Sequence, residues 1–123
     1  MTLPLDVKID DYNVFGPDVM WYAEGRVPER DSERPYPLPD LAVEVRSPST
    51  WRYDIGAKKA GYERAGLSEL WLVDTAADEV LVFRRSSRAA ATFDVALELD
   101  AGEVLGSPQM PGLAVALTVL FAD

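Results

Sequence analysis

The chain has 123 residues with a net charge of −9, 48% hydrophobic residues, no cysteine and no histidine. That length suits one domain with a real core. The missing residue types exclude disulfides, thiolate or imidazole metal sites, Ser-His-Asp triads and histidine general bases. Chemistry is left to carboxylates, lysine, arginine, tyrosine and serine, and a carboxylate cluster with a hard cation is the natural remaining option. The acidic balance argues against nucleic acid as a partner, since phosphate binding calls for a basic surface.

From the N-terminus, Leu3, Leu5, Val7 and Ile9 alternate with more polar neighbours, which predicts a strand with one buried face. Asp11-Tyr12-Asn13 reads as a turn. Pro17-Asp18 opens a second short strand over Val19 to Tyr22. Residues 24–37 are rich in charge and proline and read as a loop.

Leu41 to Val45 is a third strand, with Leu41, Val43 and Val45 on one side and Asp40, Ala42, Glu44 and Arg46 on the other. A helix is expected from about Asp54 to Ala65, ended by Gly66. Gly56 and Gly61 weaken it by about 1 kcal/mol each relative to Ala. Glu69 to Asp74 is a near-continuous apolar run, as in a strand buried on both faces and parallel to its neighbour. Strands follow at Glu79 to Arg84 and at Thr92 to Leu99, with a short one at Val104-Leu105. Leu113 to Phe121 fits either a strand or a closing helix. No apolar stretch approaches the roughly 20 residues of a membrane span, and no signal peptide is evident, so the expectation is a cytoplasmic protein.

Glu44 is out of place in an apolar strand. If the first three strands form an antiparallel meander, Asp18 comes near Glu44, and two converging carboxylates stay ionised cheaply only around a cation or a lysine. Asp40, four residues upstream of Glu44, lies about 13 Å away along the strand. Asp54, Lys58 and Tyr62 recur at helical spacing and share one face. Each feature also has a plain structural reading. Glu44 and Arg46 could pair on a solvated sheet face, Asp54 and Lys58 could be a surface ion pair, Asp18 a turn residue, and Tyr62 a core residue.

The run Pro39-Asp40-Leu41-Ala42-Val43-Glu44-Val45-Arg46-Ser47-Pro48-Ser49-Thr50, then Asp54, Lys58, Tyr62, Gly66 and Glu69-Leu70-Trp71-Leu72-Val73-Asp74, resembles the Uma family of putative restriction endonucleases. Asp6 to Ile9, Pro17-Asp18-Val19 and Ser107 to Leu113 extend the likeness over nearly the whole chain. The resemblance implies an α/β fold of PD-(D/E)XK restriction-endonuclease type, with a mixed sheet, one main helix and a strand-rich C-terminal part. It implies one domain over 1–123, without the N-terminal helical part usual in the family. Asp18 is then similar to a metal-binding aspartate, Glu44 to the acidic residue of the third strand, and Lys58 to the catalytic lysine. Asp40 matches a characteristic aspartate of the family, which places it among the candidate catalytic residues.

The function so implied is Mg²⁺-dependent (or Mn²⁺-dependent) endonucleolytic hydrolysis of DNA. Asp18, Glu44 and the Val45 carbonyl would hold the metal, and Arg46, Arg52 and Lys59 would contact backbone phosphates. A homodimer or other homo-oligomer is expected, as cover for an apolar sheet face. The alternative is a catalytically inactive nuclease fold serving as an oligomerisation or interaction module.

Overall fold

The computed structural model describes residues 7–8, 14–15, 19–23, 38–45 and 51–121, with side chains left aside at 7–8, 14–15 and 51–55. Two short strands, β1 (Val7–Lys8) and β2 (Val14–Phe15), pair antiparallel as a ribbon of their own. Five strands form the central sheet: β3 (Val19–Trp21), β4 (Leu41–Val45), β5 (Glu69–Asp74), β6 (Glu79–Arg84) and β7 (Val95–Asp100), in that order across it. Only β4 and β5 run parallel, and the helix α1 (Trp51–Ala65) joins them. This is the expected mixed sheet with one main helix. A hairpin of β8 (Val104–Ser107) and β9 (Met110–Ala116), then the short helix α2 (Leu117–Leu120), complete the strand-rich C-terminal part.

The sheet is covered on both faces. On one face Ala42, Leu70 and Leu72 pack with Tyr62 and Leu67 from α1 and its end, and with Phe93. On the other, Leu41, Trp71, Val73, Val80 and Val82 pack against Leu105 and Leu117. All six residues of β5 are buried, as its apolar run predicts. Burying a leucine such as Leu70 contributes about 1.5–3 kcal/mol.

The helix ends where the sequence indicates, and the geometry shows why. Gly66 takes φ +92°, its N–H donates to the Glu63 carbonyl, and the Leu67 N–H donates back to the Tyr62 carbonyl. That pair of bonds is a Schellman cap, which a left-handed glycine permits. Leu67 and Tyr62 share the same core cluster, so the cap also has its hydrophobic contact. The Arg85 guanidinium adds to this end by donating to the carbonyls of Glu63, Leu67 and Ala90. The helix begins at Trp51, earlier than the expected Asp54, because nothing between them breaks a helix.

Two further expectations are revised. The strand expected from Thr92 begins only at Val95. Phe93 turns inward instead, buried in the helix-side core, and its N–H donates to the Glu63 carboxylate at 2.7 Å rather than to a neighbouring strand. Asp94 likewise accepts from the Ser86 N–H and hydroxyl. The apolar tail that fitted strand or helix is both, a strand to Ala116 and then one helical turn.

The β5–β6 turn is set by Asp74, whose Oδ1 accepts the N–H groups of Ala76 and Ala77, each at 3.0 Å. Asp78 closes the turn at φ +52°, a conformation aspartate tolerates better than most residues. Among the described residues no helix is long and apolar enough to cross a membrane.

Candidate functional site

Glu44 is one residue from the end of β4 and points to the helix side of the sheet, as the alternation predicts. Its residue is only 4% exposed, which rules out a solvated sheet-face role. Two groups of α1 meet its carboxylate. Lys58 Nζ donates to Oε2 at 3.2 Å, and the Tyr62 hydroxyl donates to Oε1 at 3.0 Å. The spacing of four residues stacks Lys58 and Tyr62 one turn apart, so one helical stripe supplies both donors.

The two donors differ in kind. Tyr62 is fully buried, so its hydroxyl is a fixed support beneath the carboxylate. The Lys58 side chain stays about one third exposed, so its ammonium stands between the buried carboxylate and solvent. A buried carboxylate needs such partners, because an uncompensated charge there would be strongly unfavourable. The arrangement is a negative group held in place with a cation at its solvent edge.

The other expected site residues lie around this pair to differing degrees. Val45 follows Glu44 and is exposed, at the end of β4 nearest the site. Asp40 is at the opposite end of the strand. Its carboxylate accepts the Ala23 N–H at 2.7 Å, and its carbonyl accepts from Gln109 Nε2 at 3.0 Å. Asp40 therefore ties β4 to its neighbours and is not brought beside Glu44. Lys59 follows Lys58 but turns away, with its ammonium 4.8 Å from the centre of the Phe83 ring. Asp18 and Arg46 lie outside the described residues, as do the side chains of Arg52 and Asp54.

Donor chemistry bears on a metal. Glu44 and the Val45 carbonyl offer hard oxygen atoms of the type magnesium and manganese take. Among the described residues no group of three or more acidic side chains gathers to hold an ion. Glu44 and the Val45 carbonyl fit such a cation in kind, and Asp18, the other expected ligand, lies outside the described residues. The register bears on that expectation: Val19, the next residue after Asp18 in sequence, pairs with Val43, the residue before Glu44.

A second buried carboxylate was not anticipated. Glu69 begins β5 on the opposite face of the sheet and is 1% exposed. Its Oε2 accepts from Trp71 Nε1 at 2.7 Å, and its Oε1 accepts from Ser107 Oγ at 2.6 Å and Gln109 Nε2 at 3.2 Å. These bonds fasten the β8–β9 turn to the sheet. The Ser107 to Leu113 segment of the sequence thus has a structural task that spacing alone did not reveal.

The family model for Uma2, "Putative restriction endonuclease", matches residues 1–119 of the chain. The chain belongs to this family. A solved structure of a putative nuclease belonging to DUF820, from Anabaena variabilis, superposes with a TM-score of 0.75 at 20% identity. The superposition covers 98% of this Uma2 chain and 66% of that chain, so this chain spans just under two thirds of the other's length. Among curated proteins no sequence matches it. The family and the shared fold agree with the expected mixed α/β architecture, and the solved structure bears the name of a putative nuclease.

Proposed function

We propose that this Uma2 chain is a divalent-metal-dependent endonuclease acting on DNA, with its active site at the solvent edge of β4 and α1. The observation that carries this reading is the buried Glu44 carboxylate with the partly exposed Lys58 ammonium on it. Glu44, the Val45 carbonyl and Asp18 would hold Mg²⁺ or Mn²⁺. When bound, such an ion polarises a phosphodiester and lowers the pKa of an attacking water.

The chain's own residues do the rest. Glu44 fixes the position of the Lys58 ammonium, and Tyr62 fixes Glu44 from below. Lys58 is placed to stabilise negative charge on a phosphoryl group or to orient a water by hydrogen bonding. Arg46, Arg52 and Lys59 are the proposed contacts to backbone phosphates, Lys59 by leaving its seat on Phe83. Asp40 has a positioning role at the far end of β4. The domain is read as one unit over 1–123, soluble in the cytoplasm, and self-associating as a homodimer through exposed apolar side chains such as Val104, Val119 and Leu120.

A second reading has its own observation. Both oxygens of Glu44 already accept a donor from α1, so the triad of Glu44, Lys58 and Tyr62 can act purely as a fastener between helix and sheet. The chain would then be a catalytically silent interaction module. Calorimetric titration with Mn²⁺ separates the two. Binding by the wild type that is lost in Glu44→Ala supports the endonuclease. No binding, or binding unchanged in Glu44→Ala, rejects the metal site.

A further inference from the structure

Away from Glu44, basic side chains gather around a second concavity. A cavity of about 350 Å³ opens beside the start of β5 and the end of β6, on the face of the sheet opposite α1. Trp21, Ser68, Glu69, Arg84, Ser87 and Arg88 are among the residues that line it. In a chain of net charge −9, a wall that carries Arg84, Arg85 and Arg88 against the single carboxylate of Glu69 is a marked local excess of positive charge.

The charges there are not spent internally. Arg84 pairs across the strands with Glu69, yet its buried Nε has no hydrogen-bond partner. Glu69 receives its hydrogen bonds from Trp71, Ser107 and Gln109, and none comes from Arg84 Nε. Arg88 is exposed on the turn after β6 and makes no ion pair among the described residues. A third guanidinium on the wall, Arg85, is consumed by backbone carbonyls and holds that turn in place.

We propose that this cavity binds a terminal phosphate, the monoester group of a nucleotide, between Arg84 and Arg88. A phosphate monoester carries about −1.5 to −2 charges at pH 7, and a diester carries one. Two guanidinium groups therefore match the monoester. Their planar forks suit its oxygens, and the hydroxyls of Ser68 and Ser87 supply further donors. The Trp21 indole offers the attached nucleoside a stacking wall. The phosphate can belong to a free mononucleotide or to the 5′ end of a strand. The site is separate from Glu44 and Lys58, and the proposal does not depend on cleavage there.

NMR-monitored titration of the whole chain tests it, with deoxyadenosine 5′-monophosphate, deoxyadenosine, and an oligonucleotide with either a 5′-phosphate or a 5′-hydroxyl. The monophosphate is expected to bind at least ten-fold more tightly than the nucleoside. Arg88→Ala, on an exposed turn, is expected to weaken it at least ten-fold, and Glu44→Gln to leave it unchanged. Tighter binding of the phosphorylated oligonucleotide than of the mononucleotide would assign the site to strand ends. Equal binding of the two would assign it to free nucleotides. No binding of either phosphate-bearing probe, equal binding of nucleoside and monophosphate, wild-type affinity in both Arg88→Ala and folded Arg84→Met, or loss of binding in Glu44→Gln would overturn it.

Discussion

The Tyr62 hydroxyl donates to Glu44 Oε1 at 3.0 Å from a position with no solvent exposure, so the buried carboxylate of β4 rests on a buried phenol of α1. Hydrogen bonds to charged groups contribute about 1.5–3 kcal/mol. Tyr62→Phe keeps the ring and removes the hydroxyl that makes this bond. Urea denaturation is expected to show a loss of about 2 kcal/mol, with an unchanged m-value. A loss below about 0.5 kcal/mol would mean that Glu44 does not need this support.

Glu69 joins three donors from three places in the chain, Trp71, Ser107 and Gln109. Glu69→Leu leaves those donors without their acceptor, and each stranded buried group costs about 1–3 kcal/mol. The expected loss is about 3 kcal/mol or more, read from chemical denaturation. Glu69→Gln, which keeps an acceptor oxygen, is expected to lose less. Equal losses in the two variants would show that shape at this position matters more than the acceptor.

The two glycines near the helix end and middle should respond oppositely to alanine. Gly56 is exposed inside α1 with nothing within 4 Å of an added Cβ, so Gly56→Ala is expected to stabilise by about 1 kcal/mol. For a chain of this size that raises Tm by about 4 °C. Gly66 has the same free space but sits at φ +92°, so Gly66→Ala is expected to destabilise by about 1 kcal/mol. Differential scanning calorimetry of both variants decides.

Much of this frame is legible in the sequence. The β4-α1-β5 unit follows from alternation, the Gly66 stop and the apolar run of β5, because local propensity and burial agree there. Alternation marks Phe93 as a strand residue, while its actual pull comes from the distant Glu63 carboxylate and the helix-side core. Tyr62 was visible as part of the Lys58 stripe, but a tyrosine at helical spacing looks the same whether its hydroxyl meets a carboxylate or not. Glu69 and Gln109 were hidden for a similar reason. They are 40 positions apart, and only the fold brings them together.

Two carboxyls, Glu79 at the start of β6 and Asp94 just before β7, should shape stability at acid pH in opposite directions. Burial, and then the neighbouring Glu98 and Asp74 charges, raise the Glu79 pKa above 4.5. Its folded form holds a proton more tightly than the unfolded chain, so its contribution is present below pH 4.5 and is lost as pH rises through the raised value. Glu79→Gln is therefore expected to raise Tm at neutral pH and to leave Tm nearly unchanged at pH 4. Hydrogen bonds from Ser86 lower the Asp94 pKa below 3.8, so that contribution is present above pH 3.8 and lost as pH falls through the lowered value. Ser86→Ala should cost more at pH 7 than at pH 2. Thermal melts across pH 2–7 check both signs.

The Lys58 ammonium on Glu44 is the centre of the proposed chemistry, and one assay addresses it most directly. Supercoiled plasmid is incubated with wild type and with Lys58→Ala in Mg²⁺ or Mn²⁺, and the nicked fraction is followed over time. Wild type is expected to nick the plasmid, and Lys58→Ala to do so about 10²–10³-fold more slowly, the scale of losing one charge-stabilising donor. No nicking by wild type with either ion, or nicking at the same rate by Lys58→Ala, would contradict a nuclease site built on Glu44 and Lys58.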